Sequence, residues 1–206
     1  TLQTVQTLRD MTDERCKISG MSSIVLDTRE LSNSEIAMYI VIAVILCLIV
    51  LEISLDSYTV PVLLLLNIGI AILYNMGTNV FLGEISYITK AISAVLQLGV
   101  TTDFAIFLYH SYKEEKEKND DKQVAMSEAI TKTFTSVLGS SLTTIAGFLA
   151  LCSMDLALGE DIGIVMAKGV LLGVISVITI LPAMILACDK LIEKTTHKEI
   201  LPKFIG

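Results

Sequence analysis

The sequence predicts an all-α membrane protein built around a five-helix transmembrane bundle. Of its 206 residues, 53% are hydrophobic and only 18% are charged, and the mean hydropathy is +0.70. Average soluble domains are about 45–50% apolar and about 25% charged. The apolar residues are also clustered, because 36–51, 57–83, 133–154 and 169–188 carry no charge. Runs of about 20 apolar residues match the roughly 30 Å hydrocarbon core of a bilayer.

Composition and motifs exclude several classes of function. The net charge of −7 argues against nucleic-acid binding, which requires basic patches. A soluble domain this apolar would expose large patches and aggregate. The sequence has no CxxC or HxxxH spacing for a metal, no catalytic triad and no phosphate-binding loop. We therefore predict neither an enzyme nor a cofactor-binding protein.

Residues 1–34 are of mixed polarity and precede the apolar runs. Residues 22–27 (SSIVLD) are interpreted as one short strand that follows a turn at Gly20, and 3–15 as a helix. One helix and one strand cannot enclose a core, so this segment is expected to end a larger water-exposed domain. The chain begins at Thr1 without a basic leader, which favours a piece of a longer protein.

The predicted bundle occupies 35–188 and is followed by a charged tail at 189–206. Asn33 or Ser34 would cap the first helix, and Pro61 falls in the first turn of the second, where proline is tolerated. The turn between these two helices is very short, so we expect them to be antiparallel neighbours. The five predicted spans are 35–54, 57–76, 85–110, 129–154 and 161–188.

Lysine distribution predicts how the bundle is oriented. Five spans place the charged link at 111–128 and the tail on the same side of the membrane. Nine lysines lie in or beside these two segments, whereas the opposite short loops carry only Lys90. Cytoplasmic loops are enriched in Lys and Arg. We therefore predict a multi-pass cell-membrane protein whose tail is cytoplasmic and whose N-terminal segment is extracytoplasmic.

Asp103 is the most informative residue of the chain. It lies in the third span, about seven residues before the charged link. A carboxylate at that depth costs about 2.5–3.5 kcal/mol on insertion scales, and such residues usually have a function. The low dielectric of the bilayer disfavours the ionised form, so Asp103 is predicted to be a proton relay. The structural alternative is an Asp that hydrogen-bonds to neighbouring Ser or Thr.

Small and hydroxyl residues accompany this acid. Gly99, Thr101 and Thr102 precede it in the third span. The fourth span carries one row with Gly139, Thr143 and Gly147, and a second row with Ser136, Ser140 and Thr144. Small residues allow close helix approach, and hydroxyls hydrogen-bond across helices. Helix packing and a proton path beside Asp103 are therefore both open interpretations.

The remaining polar residues of the spans have plainer interpretations. Lys168, the second intramembrane charge, either extends towards the near membrane surface or pairs with an acid such as Glu160. The sequence 169–173 (GVLLG) is a GxxxG motif, for which close packing is the default. Gln97 and Asn67 are expected to hydrogen-bond between helices. His110, beside Tyr109 and Tyr112, is interpreted as an interface anchor.

Three motifs in order resemble those of the MMPL family of the resistance–nodulation–division (RND) transporter superfamily. Residues 99–108 (GVTTDFAIFL) and the following 112–115 (YKEE) resemble the fourth-helix motif and the start of its charged link. Residues 142–151 (LTTIAGFLAL) resemble the fifth-helix signature, and 179–183 (TILPA) the end of the sixth helix. Many members carry Tyr after the Asp, whereas this chain has Phe104, which cannot hydrogen-bond.

The resemblance implies that the five spans are helices two to six of one half of an exporter. Residues 1–34 would then be the remnant of an extracytoplasmic α/β porter domain. Asp103 matches the relay position, with protons as the coupling ion. Its proton-path or packing support would comprise Gly99, Thr101, Thr102, Phe104, Ser140, Thr143, Thr144 and Gly147. The expected partners are membrane lipids and a second transporter half, with a homo-oligomer as a further alternative.

Two other functions stay open on the sequence alone. A sterol-sensing-type bundle would bind lipid as a regulatory module, and a protein-export accessory subunit would belong to the same superfamily. The acid in the third span argues against a passive sensor. The motif sequences resemble MMPL more closely than the export accessories. We therefore expect a proton-driven exporter of lipids or other hydrophobic and amphiphilic compounds.

Overall fold

A computed structural model describes residues 4, 7, 21–82, 86–154 and 156–196 of the chain. In these ranges the secondary structure is α-helical apart from a short 3-10 helix, Asn79–Leu82. The one β contact there is an isolated bridge between Ser57 and Thr196. The predicted all-α class is therefore confirmed. The α-helices are α1 (Met21–Ser54), α2 (Thr59–Thr78), α3 (Tyr87–Lys116), α4 (Lys122–Leu151) and α5 (Ala157–Lys194).

Helices α2 to α5 are each long and apolar enough to cross a membrane. Helix α1 contributes a shorter apolar stretch, Met38–Ser54, at the position of the first predicted span. The chain divides into two compact units, Thr1–Val41 and Ile42–Gly206, and the four long helices belong to the second. The multi-pass membrane architecture predicted from hydropathy is thus present in this second unit.

The start of α1 corrects one sequence interpretation. Residues 22–27 were expected to form a strand, but they lie inside a helix that begins at Met21. Residues 21–34 contain neither Gly nor Pro, and continuing the helix avoids a terminus with four unpaired N–H groups before Glu35. Of the helix expected at 3–15, only Thr4 and Thr7 fall within the described residues, and both are helical.

Within the second unit, the described residues 42–54 of α1 do not run along α2, contrary to the expectation drawn from the short turn between the two helices. Within the described part of the chain, α2 packs against α3 and α5. The later part of α1 instead reaches α3, where Cys47 Sγ lies 3.7 Å from Thr102 Oγ1. A short turn fixes where two helices join but not whether they run along each other. Ile45 and Leu46 of α1 are more than half exposed, as expected for side chains that face lipid.

Helix α5 lies at the centre of the second unit and contacts α2, α3 and α4. Val170, Leu181 and Ile185 on α5 are fully buried, as are Leu64 of α2 and Ala105 of α3. In a bilayer such packing works through van der Waals contact, because lipid tails are as apolar as leucine. Helix α5 therefore holds α2, α3 and α4 together through these contacts.

A side-chain cap explains where α4 begins. Helix α4 starts at Lys122, seven residues before the predicted span, because the Asp121 carboxylate accepts a 2.8 Å hydrogen bond from Gln123 N. An aspartate at this position satisfies one of the free N–H groups of the first turn. Pro61 lies in the first turn of α2, as predicted. Pro182 lies inside α5 and removes one backbone donor there.

One end of the bundle is rich in charges and is called the charged end below. It comprises the turn at 55–58, the link at 117–121 and the helix end at 189–196. Lys113 of α3 forms an ion pair with Asp56 of the turn. Thr195 Oγ1, at the end of α5, lies 2.8 Å from Ser57 Oγ of the same turn. The link and the end of α5 therefore lie on the same side of the bundle, because two helices, α4 and α5, separate them.

Candidate functional site

Asp103 faces an open groove between α3 and α4. The groove has a volume of about 440 Å³, and its α3 wall consists of Val100, Asp103, Phe104 and Phe107. The Asp103 side chain is exposed, whereas Phe104 is 7% exposed and packs inward. No hydrogen bond or ion pair to Asp103 occurs among the residues that the structure describes. The carboxylate is thus presented on a lateral face of the bundle.

Hydroxyl groups form the α4 wall of the same groove. Ser136, Ser140 and Thr144 line it, together with Val137. They recur every four residues and therefore share one face of the helix. Ser140 Oγ donates to Val137 O at 3.2 Å, and Thr144 Oγ1 donates to Ser140 O at 2.9 Å. Each of these two hydroxyl oxygens keeps a free lone pair towards the groove.

The other α4 row lies beside the groove and contacts little. Gly139, Thr143 and Gly147 are exposed, and Thr143 Oγ1 donates to Gly139 O at 3.0 Å. A Cβ added at Gly139 or Gly147 would have no neighbour within 4 Å. Gly99 on α3 is likewise exposed and open. These small residues do not serve packing between the described helices.

Thr101 and Thr102 do not line the groove. Thr102 Oγ1 donates to Leu98 O at 2.5 Å and lies near Cys47 of α1. Thr101 is fully buried against α5, where a Cβ added at Gly173 would lie 2.6 Å from its Oγ1. The structure thus separates the predicted support residues into a groove set and a set that faces other helices.

A second group of polar side chains lies inside the bundle, between α2, α3 and α5. All of its members are buried, and we call it the polar seam. The Asn75 amide donates to Gln97 Oε1 at 2.7 Å and to Val165 O at 3.3 Å, and Gln97 Nε2 donates to Gly169 O at 3.2 Å. Its members are Asn67, Asn75, Gln97, Thr101 and Ser176.

The seam confirms the expected role of two residues and adds others. Asn67 Oδ1 accepts from Ser176 Oγ at 2.7 Å, so Asn67 and Gln97 both hydrogen-bond between helices as predicted. Asn75 was not singled out from the sequence, although a second amide after Asn67 in the charge-free run 57–83 was a signal. The GxxxG motif provides space for this network, because Gly169 and Gly173 contact polar side chains of α2 and α3.

Lys168 lies beside the seam, near the end of the bundle opposite the charged one. Its Nζ donates to Asn75 O at 3.2 Å and to Asn79 Oδ1. Neutral oxygens of α2 and the helix that follows it are therefore the partners described for this cation. The expected pairing with Glu160 is not found among the described residues.

Buried ion pairs at the charged end hold three helices together. Asp189 of α5 is 3% exposed and accepts from Lys116 of α3 at 2.6 Å and from Lys122 of α4. Tyr112 OH also donates to Asp189, at 3.2 Å, and Tyr112 is buried. The sequence separation of these partners is about 70 residues, so no local pattern indicated them.

Asp56 forms a second ion pair at this end. Its carboxylate accepts from Lys113 at 2.8 Å and from Tyr109 OH at 3.0 Å. Burial raises the pKa of Asp56, but the hydrogen bond and charge of Lys113 and the hydrogen bond of Tyr109 outweigh it. The net pKa lies below the ordinary value of a carboxyl group. Tyr109 is buried, whereas His110, the residue interpreted as an interface anchor, is exposed.

Comparison with known proteins identifies the family. The sequence profile of the MMPL family matches residues 2–199. The membrane protein ActII-3 of Streptomyces coelicolor is 33% identical over 147 residues, which are 67% of this chain and 20% of that protein. The membrane protein MJ1562 of Methanocaldococcus jannaschii is 34% identical over 122 residues, 59% of this chain and 31% of that protein.

A third relative has a named transport activity. The siderophore exporter MmpL5 of Mycobacterium tuberculosis is 24% identical over 173 residues, 82% of this chain and 18% of that protein. The chain thus matches between 18% and 31% of the lengths of these curated relatives. Because the family profile spans nearly all of the sequence and the described helices have the expected multi-pass character, the chain belongs to the MMPL family of the RND transporter superfamily.

Proposed function

We propose that this chain forms half of the membrane part of a proton-driven exporter, in which Asp103 binds and releases the coupling proton. The observation that carries the proposal is the position of the Asp103 carboxylate in the lateral groove, without a partner among the described residues. An intramembrane acid is costly unless it is protonated, paired or hydrated. A group that alternates between these conditions is suited to carry a proton.

The surroundings of Asp103 support proton transfer. The hydroxyls of Ser140 and Thr144 line the same groove and can accept a hydrogen bond from a protonated carboxyl or from water. Protonation removes the charge from the groove, so the groove can close against an apolar partner. Release of the proton restores the charge and favours a hydrated, open groove. This difference between the two states would couple the proton gradient to helix movement.

The expected partner on this face is a second transporter half. Gly139, Thr143 and Gly147 are exposed beside the groove, and small residues permit close approach of another helix. The relatives differ in length. A match of 122 residues covers 31% of MJ1562, whereas a longer match of 147 residues covers only 20% of ActII-3, so ActII-3 is the longer protein. A second copy of the chain is therefore the alternative to a second half on the same polypeptide.

Lipids or other hydrophobic and amphiphilic compounds are the proposed substrates. The siderophore-exporting relative supports export as the direction of transport. The groove walls are largely apolar, with Val100, Phe104, Phe107 and Val137 around the single acid. Membrane lipids would reach such a lateral opening directly from the bilayer.

We also propose that the charged end faces the cytoplasm. The turn at 55–58, the link and the end of α5 all lie at that end, which carries seven of the nine lysines counted above. The positive-inside rule then places the N-terminal segment outside. A cysteine introduced at Asp120 should react with an impermeant thiol reagent only after the membrane is opened.

The decisive experiment compares Asp103→Asn with Asp120→Asn in the full-length protein reconstituted into liposomes. Asp120 is an exposed acid of the link and serves as the matched control. With an imposed pH gradient, internal pyranine reports proton flux and rhodamine 6G serves as the amphiphilic probe. We expect Asp103→Asn to lower dye-coupled proton flux at least about 100-fold, in the range of general acid–base effects, and Asp120→Asn to retain it.

The same experiment distinguishes the alternative functions. Unchanged proton coupling in Asp103→Asn would overturn the relay. Proton-independent binding of the dye without transport by the intact wild-type protein would favour a lipid-sensing bundle. Loss of dye transport with retained proton flux would place Asp103 in substrate recognition instead.

A further inference from the structure

The polar seam contains polar atoms that the described residues leave without hydrogen bonds. They are Asn75 Oδ1, Thr101 Oγ1 and Asn67 Nδ2, each on a residue with 0% exposure. Buried polar atoms in folded proteins almost always have a partner, either a protein group or an ordered water. Three such atoms in one seam therefore require an explanation.

The three atoms lie along one side of α5. Gln97 and Asn75 contact α5 at Gly169, Thr101 contacts it at Gly173, and Asn67 bonds to Ser176. From Gly169 to Ser176 is seven residues, or about 10.5 Å along a helix. Asn75 and Asn67 are eight residues apart on α2, about 12 Å. The spacing on both helices thus agrees, and the atoms form a column parallel to the bundle axis.

The glycines of α5 make this column polar rather than apolar. A Cβ at Gly169 would lie 2.6 Å from Asn75 Nδ2 and 3.1 Å from Gln97 Oε1, and one at Gly173 would lie 2.6 Å from Thr101 Oγ1. Any larger residue would displace the polar side chains. The GxxxG motif therefore provides room for polar groups at positions where a tight apolar contact would otherwise form.

The column differs at its two ends. Towards the charged end, Leu64, Leu181 and Ile185 follow Ser176 and are fully buried, so that end is closed by apolar side chains. Towards the opposite end, the polar groups continue to Lys168, which bonds to Asn75 O and Asn79 Oδ1. Lys168 is only partly buried, so the protein does not fully enclose the seam at this end.

We propose that the polar seam is a water-binding site, a column of internal waters that enters beside Lys168 and ends at Asn67 and Ser176. Water is a suitable ligand because the unpartnered atoms include both acceptors and a donor, and a water molecule can donate to the former and accept from the latter. A metal cation would require oxygen ligands alone and would be repelled by Lys168. An anion would meet the acceptor atoms Asn75 Oδ1 and Gln97 Oε1.

The water column is distinct from the proposed proton groove. Thr101 and Asp103 are two residues apart on α3, which places their side chains on nearly opposite faces of the helix. Hydration of the seam therefore reaches the depth of Asp103 from the inside of the bundle, while the groove reaches it from the lateral face. The inference does not depend on Asp103 being a relay.

The test replaces Thr101 by the isosteric Val in the full-length protein in lipid nanodiscs. If water bonds to Oγ1, the substitution leaves that water short of a partner, and the melting temperature should fall by about 2–4 °C. If Oγ1 has no partner, removing a buried hydroxyl should leave the melting temperature unchanged or raise it. The control is Thr131→Val, whose exposed hydroxyl donates to Ser127 O within its own helix.

A density map of the wild-type full-length protein decides the question even if Thr101→Val does not fold. At a resolution of about 2.5 Å or better, we expect ordered water within hydrogen-bond distance of Thr101 Oγ1 and Asn75 Oδ1. An unchanged or higher melting temperature of Thr101→Val overturns the proposal. A map in which protein groups contact both atoms directly also overturns it.

Discussion

At the scale of single residues, the helical period decides which polar groups of α3 can act together. Thr101 and Asp103 are neighbours in the sequence motif, yet one is buried against Gly173 and the other lines the lateral groove. The hydroxyls that accompany Asp103 come instead from α4. A motif read as a linear string therefore overstates how many of its residues serve one site.

The ion pair of Asp56 gives a prediction about pH. Lys113 and Tyr109 hold the pKa of this carboxyl below its ordinary value, so the pair stabilises the fold fully above the unfolded-state pKa. That contribution is lost as the pH falls through the folded-state pKa. We expect it to be about 1 kcal/mol, because both side chains are partly exposed and solvent screens them.

The measurement is thermal unfolding of the full-length protein and of Asp56→Asn between pH 7 and about pH 2, because the folded-state pKa lies below the ordinary carboxyl value. The variant should be less stable at pH 7, and its deficit should shrink as the pH is lowered. Glu114→Gln is the control, because Glu114 pairs with Lys132 at an exposed position. A deficit that stays constant with pH would show that the charge of Asp56 contributes nothing.

At the scale of secondary-structure elements, α5 organises the bundle through its small residues. Gly169 and Gly173 accommodate Asn75, Gln97 and Thr101, whereas a Cβ added at Gly139 or Gly147 of α4 would have no neighbour within 4 Å. Two glycine patterns that look alike in sequence thus have different surroundings. The spacing of small residues predicts a groove on a helix, but it does not say what fills the groove.

This difference leads to a prediction for Gly173→Ala. The new Cβ would lie 2.6 Å from Thr101 Oγ1 and 3.3 Å from its Cγ2, so the helices must separate or Thr101 must move. We expect a loss of about 1–3 kcal/mol in stability, as for other overpacked cores. The double variant Gly173→Ala with Thr101→Ala should recover part of it, because Ala lacks both clashing atoms.

The matched control for this prediction is Gly147→Ala, which has no neighbour within 4 Å. It should be neutral or slightly stabilising, since Ala favours helix over Gly. Thermal unfolding of the wild type, Gly173→Ala, Thr101→Ala and the double variant measures the coupling between positions 101 and 173. Additive effects of the two single substitutions would contradict the contact between Thr101 and Gly173.

At the scale of the whole molecule, hydropathy predicted α2 to α5 to within a few residues at most ends. Hydropathy identifies the stretches that are long enough to cross a membrane. The Asp121 cap explains why α4 begins before its predicted span. The strand at 22–27 was wrong because a short apolar run fits strand and helix alike. The Asp189 ion pairs were not predicted, because their partners are brought together only by packing.

The distribution of exposure over the bundle leaves one face for a partner. In the most apolar 18-residue stretch of α4, 11% is buried inside the protein, whereas the corresponding stretches of α2, α3 and α5 are 44–50% buried. The exposed part of α4 carries large side chains such as Leu142, but it also has a stripe with Gly139 and Gly147 that lies beside the groove of Asp103. Exposed side chains of α1 such as Leu46 are large and apolar, as lipid contact favours. A face of small residues is instead suited to another helix.

This contrast gives a prediction for Gly139→Leu in the full-length protein. Nothing lies within 4 Å of a Cβ at Gly139, so the substitution should not disturb folding of this half. If a second bundle covers the face, the larger side chain should hold the two halves apart and lower proton-coupled flux at least about tenfold, a cost of about 1.4 kcal/mol. The matched control is Gly77→Leu, another exposed glycine without close neighbours, at the end of α2. Full flux in Gly139→Leu, with Gly77→Leu unchanged, would show that lipid rather than a second half covers α4.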